Sequence, residues 1–285
     1  MPGFKSINAY ADAYLNGAYT ISSFRKAPTQ ANTVGIWMDM SMAGGNPVPN
    51  YYAASPLISA KLDPQAGIYH GPGVSPQKKF LRSLSVFSTS ANAVASTWYL
   101  CDYLLYYPFI DMDAVGEEQI MENTLALDRY TDGAGVKMMM VNVAPTLGSG
   151  QFTVNYVNQD GATKTTPNQF CSSTGTNIGT LTATTQGVTG WKPFIDLAEG
   201  DTGVRSVNSV TFSVANGGLC ALVLVYPLRT MRIREANVAT EVESLLHAPT
   251  LPQIQDGSYL NLIGMSHTGS LVSTVFAGMA EFTWG

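Results

Sequence analysis

Asp111, Asp113, Glu117, Glu118 and Glu122 place five carboxylates within twelve residues. They follow a run of four tyrosines in nine residues, Tyr99, Tyr103, Tyr106 and Tyr107, and a Pro108-Phe109 step separates the two groups. Carboxylates at this density could hold a cation, share a proton in acid–base work, or orient a basic partner. Tyrosines in a row could stack on a sugar, fill a sheet, or form a contact surface, because each ring has an apolar body and a polar tip.

Each chemistry makes its own demands. A twelve-residue calcium loop needs carboxylates at its first, third and last positions and a glycine at the sixth. Asp111, Asp113, Gly116 and Glu122 fill those positions and form the cation candidate. Position five is Val115, which has no ligand atom, and position eight, normally apolar, is Glu118. A tyrosine-rich strand precedes the loop where a helix would be required. A solvated turn whose acids favour the start of a short helix is the plainer reading. Glycosidase chemistry needs two carboxyls converging across a cleft, about 5 Å apart in retaining enzymes. These acids are neighbours on one loop.

Other candidate groups are scattered. His70, His247 and His267 lie far apart with no partner at metal-ligand spacing. Ser266 and His267 are adjacent, so on a strand they point to opposite faces and make no dyad. Cys101, Cys171 and Cys220 form no CxxC pair, and an odd count argues against a disulfide framework, so they read as small buried hydrophobes. "LRTMRIRE" carries Arg229, Arg232 and Arg234; on a strand the last two share a face and Arg229 lies opposite Arg232. Such arginines suit carboxylate or phosphate, or the acid run of a neighbour. No phosphate-binding loop, dinucleotide fingerprint or nucleophile elbow is present. The sequence therefore implies no enzyme, no cofactor and no structural metal.

The elements that must position these residues are strands. From Phe80 onward, short runs rich in aromatic and β-branched residues recur between turn signals. "KFLRSLSVFSTS", "ASTWYLCDYLLYYPFI", "GVKMMMVNVAP" and "QFTVNYVNQ" read as strands, the last two joined by "TLGSG". Asp160-Gly161 marks a tight hairpin. "VNSVTFSV" and "LCALVLVYPL" read as a hairpin closed by "ANGG", and "SYLNLIGM" with "SLVSTVFAGMAEFTW" as the last pair. Glu117–Leu127 is the one candidate helix. Residues 1–80, broken by Pro and Gly every few positions, read as an extended, loop-rich arm, with "NTVGIWMDMSM" one strand inside it. The expected fold is all-β: a β-sandwich or jelly-roll-like body over residues 81–285 with an irregular N-terminal arm.

Composition narrows the class. Only 12 % of the 285 residues are charged, against a usual share of roughly 25 %. Residues 1–82 hold seven basic groups and three acids, a net of +4, while the remainder nets -9. The halves are electrically complementary, within one chain or between neighbours. The net charge of -5 gives no broad basic field, so nucleic acid is not an expected partner. No apolar run is long enough to span a membrane, and the first residues lack the apolar core of a secretory leader.

"LLYYPFIDMD", "LDRYTDGAGV" and "FTVNYVNQDGATKTTP" resemble structural proteins of tailed bacteriophage virions, over the middle third of the chain, Tyr99–Pro167. The resemblance implies a virion component built mainly of β-structure, made in the host cytoplasm, and it brings no known site. The leading expectation is a non-enzymatic capsid decoration or cement protein. Its partners would be copies of itself and other virion proteins, the major capsid protein first. Its contact surface would comprise Tyr99, Tyr103, Tyr106, Tyr107, Asp111, Asp113, Glu117, Glu118, Arg229, Arg232 and Arg234. The alternatives are a tail, collar or receptor-binding component whose aromatics read host glycans, and a hydrolase of host surface sugars.

Overall fold

Two long strands organise the chain. In the computed structural model, which describes residues 3–89, 95–184, 192–235, 238, 240–243 and 251–285, β5 (Ser96–Asp111) and β13 (Leu219–Ile233) pair antiparallel from end to end. Both are apolar on both faces, as strands covered on both sides must be. The other strands, in chain order, are β1 (Tyr19–Ala27), β2 (Trp37–Asp39), β3 (Gly44–Asn46), β4 (Lys79–Ser88), β6 (Glu118–Ile120), β7 (Lys137–Asn142), β8 (Gln151–Asn158), β9 (Thr163–Thr165) and β10 (Gln169–Cys171). They continue with β11 (Ala183–Thr184), β12 (Val204–Val214), β14 (Thr240–Glu243), β15 (Gln253–Ile254), β16 (Tyr259–Ser266) and β17 (Phe276–Trp284). Among the described residues there is one α-helix, α1 (Ile7–Leu15), which is capped by the Ser6 side chain and buries no residue.

The protein is all-β, and its strands form three antiparallel sheets stacked as a sandwich. The central sheet runs β2-β16-β5-β13-β7. A terminal sheet runs β14-β4-β17-β1-β3, with β15 added on β4. A distal sheet runs β11-β10-β8-β12-β6, with β9 added on β8. One face of the central sheet carries both outer sheets side by side. Trp98, Leu100, Met231 and Ile233 pack on Phe24, Leu81, Leu84, Phe276 and Phe282 of the terminal sheet. Leu105, Tyr107, Leu222 and Leu224 pack on Phe152, Val154, Val207 and Phe212 of the distal sheet. A register shift near Leu105 marks a bulge that lets Leu104 and Leu105 enter the same core.

The opposite face of the central sheet is covered by the first 80 residues. Trp37, Tyr52 and Leu62 pack on Cys101, Tyr103, Tyr106, Val223 and Ile263. β1 pairs with β17 on one side and β3 on the other, and β2 extends the central sheet beside β16. This segment is loop-rich, but it is a layer of the body and not an arm extended from it. "NTVGIWMDMSM" keeps only Trp37–Asp39 as strand before a 3-10 turn at Met40–Met42.

Several sequence expectations are corrected by pairing. "ANGG" does not close a hairpin, because β12 belongs to the distal sheet and β13 to the central one. Its polar groups bond elsewhere: Asn216 N–H to Met112 O at 3.0 Å, Gly217 N–H to Asp113 Oδ1 at 2.8 Å, and Leu147 N–H to Asn216 O at 2.6 Å. Gly217 and Gly218 take positive φ, and a Cβ on Gly218 would lie 2.3 Å from Pro145 O, so the chain crosses sheets against a neighbouring loop. β7 and β8, and β16 and β17, likewise lie in different sheets. Glu117–Leu127 forms no helix. Gln119 and Met121 are buried while Ile120 and Glu122 are exposed, a period of two, and β6 pairs with β12. The Asp160-Gly161 turn does join paired strands, β8 and β9.

Buried charges fasten the layers. Asp39 accepts from Ser41 N–H (2.9 Å), Ser41 Oγ (2.6 Å), Tyr52 OH (2.5 Å) and Tyr103 OH (2.6 Å). Burial, reinforced by Asp39, holds both tyrosines well above the usual phenol range, so they remain donors. Lys26, fully buried, donates to Ala43 O and Pro47 O at 3.2 and 2.8 Å. Its burial outweighs the pull of Asp39 and lowers its pKa to about 8. Tyr103→Phe removes one charge-assisted bond and is expected to lower unfolding free energy by about 1.5–3 kcal/mol. Asp39→Ala, which also strips Ser41 and Tyr52 of their acceptor, should cost more; urea denaturation of both variants measures the difference.

A second fastener joins Lys79 to His70 and Asp256. Lys79 Nζ lies 3.0 Å from His70 Nδ1, 2.6 Å from Pro72 O and 3.3 Å from Asp256 Oδ1. Ammonium can only donate, so Nδ1 is the acceptor and Nε2–H donates to Ser258 O at 3.0 Å. Burial first, then the Lys79 charge, lowers the His70 pKa to about 4. The unfolded chain takes this proton near pH 6.5 and the folded chain does not. The stability held above that pH is therefore lost as pH falls toward 4, by about 3 kcal/mol from this group. His70→Gln should flatten that part of the stability profile; an unchanged slope between pH 6.5 and 4 in chemical denaturation would refute the assignment.

Candidate functional site

The tyrosine run faces inward. Tyr103, Tyr106 and Tyr107 are buried, and Tyr99 is half-buried with its ring against Trp37 and Phe194. Tyr106 packs on Tyr52 and Tyr103 on Tyr259. Tyr107 OH donates to Asn123 Oδ1 at 2.6 Å and accepts from Val207 N–H at 3.2 Å. Three of the four rings are thus core of the central sheet and offer no face to a sugar or an outside partner. Tyr103 and Tyr106 lie under the layer from the first 80 residues, and Tyr107 lies under the distal sheet. A strand expected to be open on one side is closed on both.

The Pro-Phe step turns the chain outward. Pro108 accepts from Leu57 N–H at 3.0 Å, and Phe109 sits at φ +57°, a region that costs a bulky residue about 1 kcal/mol or more. The pairing with β13 shifts register here, between Tyr107 and Ile110. Beyond it Asp111, Asp113, Glu117, Glu118 and Glu122 are all exposed.

Their geometry is that of a braced loop. Asp111 Oδ1 accepts from Asp113 N–H at 2.9 Å, Asp113 Oδ1 from Gly217 N–H at 2.8 Å, and Glu118 Oε1 from Ser209 Oγ at 2.6 Å. Among the described residues no group of three or more acidic, histidine or cysteine side chains is placed to hold a metal ion. Between the acids stand Val115 and Ile120, 50 % and 61 % exposed. β6, which carries Ile120, is the edge strand of the distal sheet. Sequence reasoning does not single out these two apolar residues; the available signal is the period-two pattern of Gln119 to Glu122.

The arginines divide. Arg232 and Arg234 are exposed on one face of the end of β13, beside the exposed Glu235. Arg229 is half-buried, next to a second register shift. The acid loop and the arginine pair occupy opposite ends of one strand pair, since Leu219 lies opposite Asp111 and Arg232 opposite Thr97. At about 3.3 Å per residue the two ends are roughly 40 Å apart. The fold does not bring them together within one chain. Elsewhere the basic first segment and the acidic remainder do meet, through Lys61–Asp128, Lys79–Asp256 and Arg82–Glu281.

The remaining candidates form no metal-holding group among the described residues. His267 Nε2 lies 2.7 Å from Thr97 Oγ1, and Ser266 is buried while His267 is exposed. His247 lies outside the described residues. Cys101, Cys171 and Cys220 are buried free thiols, raised in pKa chiefly by burial. Sequence reasoning also passes over a buried ion pair: Arg129 grips Asp102 through Nε–Oδ2 and Nη2–Oδ1, both 3.0 Å. An aspartate amid the apolar run of β5 is the available signal, because a buried carboxylate requires a partner.

No protein-family model matches the chain, and no curated protein matches it. Among solved structures, a VP2 subviral particle of infectious bursal disease virus is 9 % identical over 93 % of this chain and 80 % of that one, with a TM-score of 0.18. The structure of the Gx strain of the same virus is 10 % identical over 94 % and 81 %, with a TM-score of 0.16. Likeness at that level supports no inference about this chain. Among the described residues, no helix is long and apolar enough to cross a membrane.

A braced loop whose carboxylates are already engaged gives calcium little to bind. Millimolar calcium is expected to leave the melting temperature unchanged by scanning fluorimetry. A rise of several degrees that vanishes in Asp111→Asn with Asp113→Asn would establish the cation loop instead.

Proposed function

We propose that the chain is a non-enzymatic virion structural protein, a decoration or cement subunit of the capsid shell, that acts through protein–protein contacts. The observation that carries this reading is the separation of opposite charge to the two ends of the β5–β13 pair. A carboxylate-rimmed apolar edge at one end and an exposed arginine pair at the other suit head-to-tail contact between copies, or contact of the acid end with a basic partner such as the major capsid protein. The bacteriophage resemblance of Tyr99–Pro167 and the low charge of the whole chain support it. The apolar residues Val115 and Ile120 supply contact area, and the acids around them set register and exclude wrong partners. The tail or receptor-binding alternative drew on tyrosines stacking on glycan, and those rings are largely interior.

The test is a charge swap. Replacing Asp111, Asp113, Glu117 and Glu118 by lysine removes the bonds that brace the loop as well as its charge, so circular dichroism and a Glu117→Lys single variant separate a lost contact from a lost fold. The fourfold replacement should weaken association or particle occupancy about tenfold or more, since like charges placed in contact cost several kcal/mol. A chain with Arg232→Glu and Arg234→Glu should show the same loss. Mixing the two variants should restore contact if copies meet head to tail. If only the acid variant loses occupancy, the partner is another shell protein. Unchanged occupancy in both, or absence of the protein from purified particles by quantitative mass spectrometry, would overturn the reading.

A further inference from the structure

At the seam between the two outer sheets, Tyr130 and Arg229 line one cavity of about 400 Å³. Arg229 Nε and Nη2 are both buried without a hydrogen-bond partner, and so is the Tyr130 hydroxyl. Buried polar groups are almost always paired, so three unpaired atoms on two residues of one cavity call for a common explanation. The geometry of the arginine suggests it. Nε and Nη2 form the side edge of the guanidinium, which offers two parallel N–H donors to a pair of oxygens. Arg129, adjacent to Tyr130, uses the same edge to hold the Asp102 carboxylate at 3.0 and 3.0 Å. The same edge of Arg229 has no protein partner.

The surroundings define the guest. Tyr130 lies flat on Tyr226, ring centroids 3.9 Å apart and planes 2° from parallel. Tyr130 holds this position at φ +50°, a strained backbone for a bulky side chain, of the kind concentrated at ligand clamps. Burial first, then the nearby Asp102 charge, raises the Tyr130 pKa, so its hydroxyl stays a donor. Leu251 and Pro252 make an apolar wall and Gln255 adds an amide. Among the described residues Arg229 is the one charged group lining the cavity. A single cation balances a monoanion and leaves a phosphate dianion half compensated.

We propose that this cavity is a carboxylate-binding site, in which the Nε/Nη2 edge of Arg229 takes both carboxylate oxygens, the Tyr130 hydroxyl donates to one of them, and the Tyr130–Tyr226 stack holds the apolar body. The unpaired atoms are closed to solvent, so binding includes a rotation of the long Arg229 side chain toward the cavity. The carboxylate belongs either to a free small acid or to an acidic side chain of a second copy.

The Nε–H resonance of Arg229, identified by its loss in Arg229→Lys, reports occupancy in arginine-labelled protein. Phenylacetate is expected to shift it saturably, and inorganic phosphate at equal ionic strength at least tenfold more weakly. Tyr130→Phe should weaken phenylacetate about tenfold, and circular dichroism of that variant separates a lost donor from a lost fold. Movement with added phenylacetate alone would place the carboxylate on a free small acid. Movement with protein concentration alone would place it on a second copy. A resonance unmoved in both series, or moved equally by phosphate, would overturn the proposal. None of these outcomes depends on the charge swap at the ends of β13, so the site and the assembly reading fail separately.

Discussion

The β5–β13 pair must be covered on both faces, and the rest of the architecture follows from that. Its alternating residues are apolar on either side, from Leu100 and Cys101 to Leu222 and Val223. A strand pair this long is wider than one outer sheet can cover. The terminal sheet therefore takes one half of one face and the distal sheet the other half. The remaining face is left to the first 80 residues, which contribute few strands but many large side chains. Their Pro- and Gly-rich texture suits a covering layer, because short turns follow the surface of a twisted sheet more readily than one regular element does.

Charge is scarce in this protein, yet four charged side chains lie inside. Asp39, Asp102, Lys26 and Lys79 are each buried almost completely. A buried charge adds little net stability, because desolvation offsets most of the attraction, but removing one partner is costly. Such groups select one arrangement among many apolar ones. Asp39 fixes where the covering layer meets Tyr103. Lys79 fixes the start of β4 against the loop holding Asp256. Asp102 and Arg129 sit where the two outer sheets adjoin, between two cores that would otherwise merge. Apolar packing sets how tightly the layers adhere, and these ionic contacts set their register.

The strands are legible in the sequence because period-two burial is a local property, written in segments such as "QFTVNYVNQ". Their partners are not. "ANGG" between two good strands reads as a hairpin, and only the bonds of Asn216 and Gly217 to the Met112–Asp113 loop show that the chain changes sheets there. The tyrosine run reads as a surface because its covering residues lie far away in sequence, Trp37 62 positions from Tyr99 and Tyr52 54 positions from Tyr106. The acids are easier to place, since five exposed carboxylates close together in sequence need no distant information. Arg229 looks like its neighbours Arg232 and Arg234 and differs from them only through a bulge that spacing does not reveal.

The acidic end is also constrained in how it can make contact. β6 is a sheet edge, and an edge strand with free backbone groups is a template for another strand. Here the edge is three residues long, begins with Glu118, and has Glu117 and Glu122 close on either side. Short length and dense negative charge both discourage strand addition, above all by an identical edge carrying the same charge. A two-fold contact of this end with itself is therefore disfavoured, and a contact with a basic surface is favoured. The arginine end of the same strand pair is such a surface. Because the two ends differ, any contact between them in separate copies would be heterologous, and would have to close a ring or be terminated by another component.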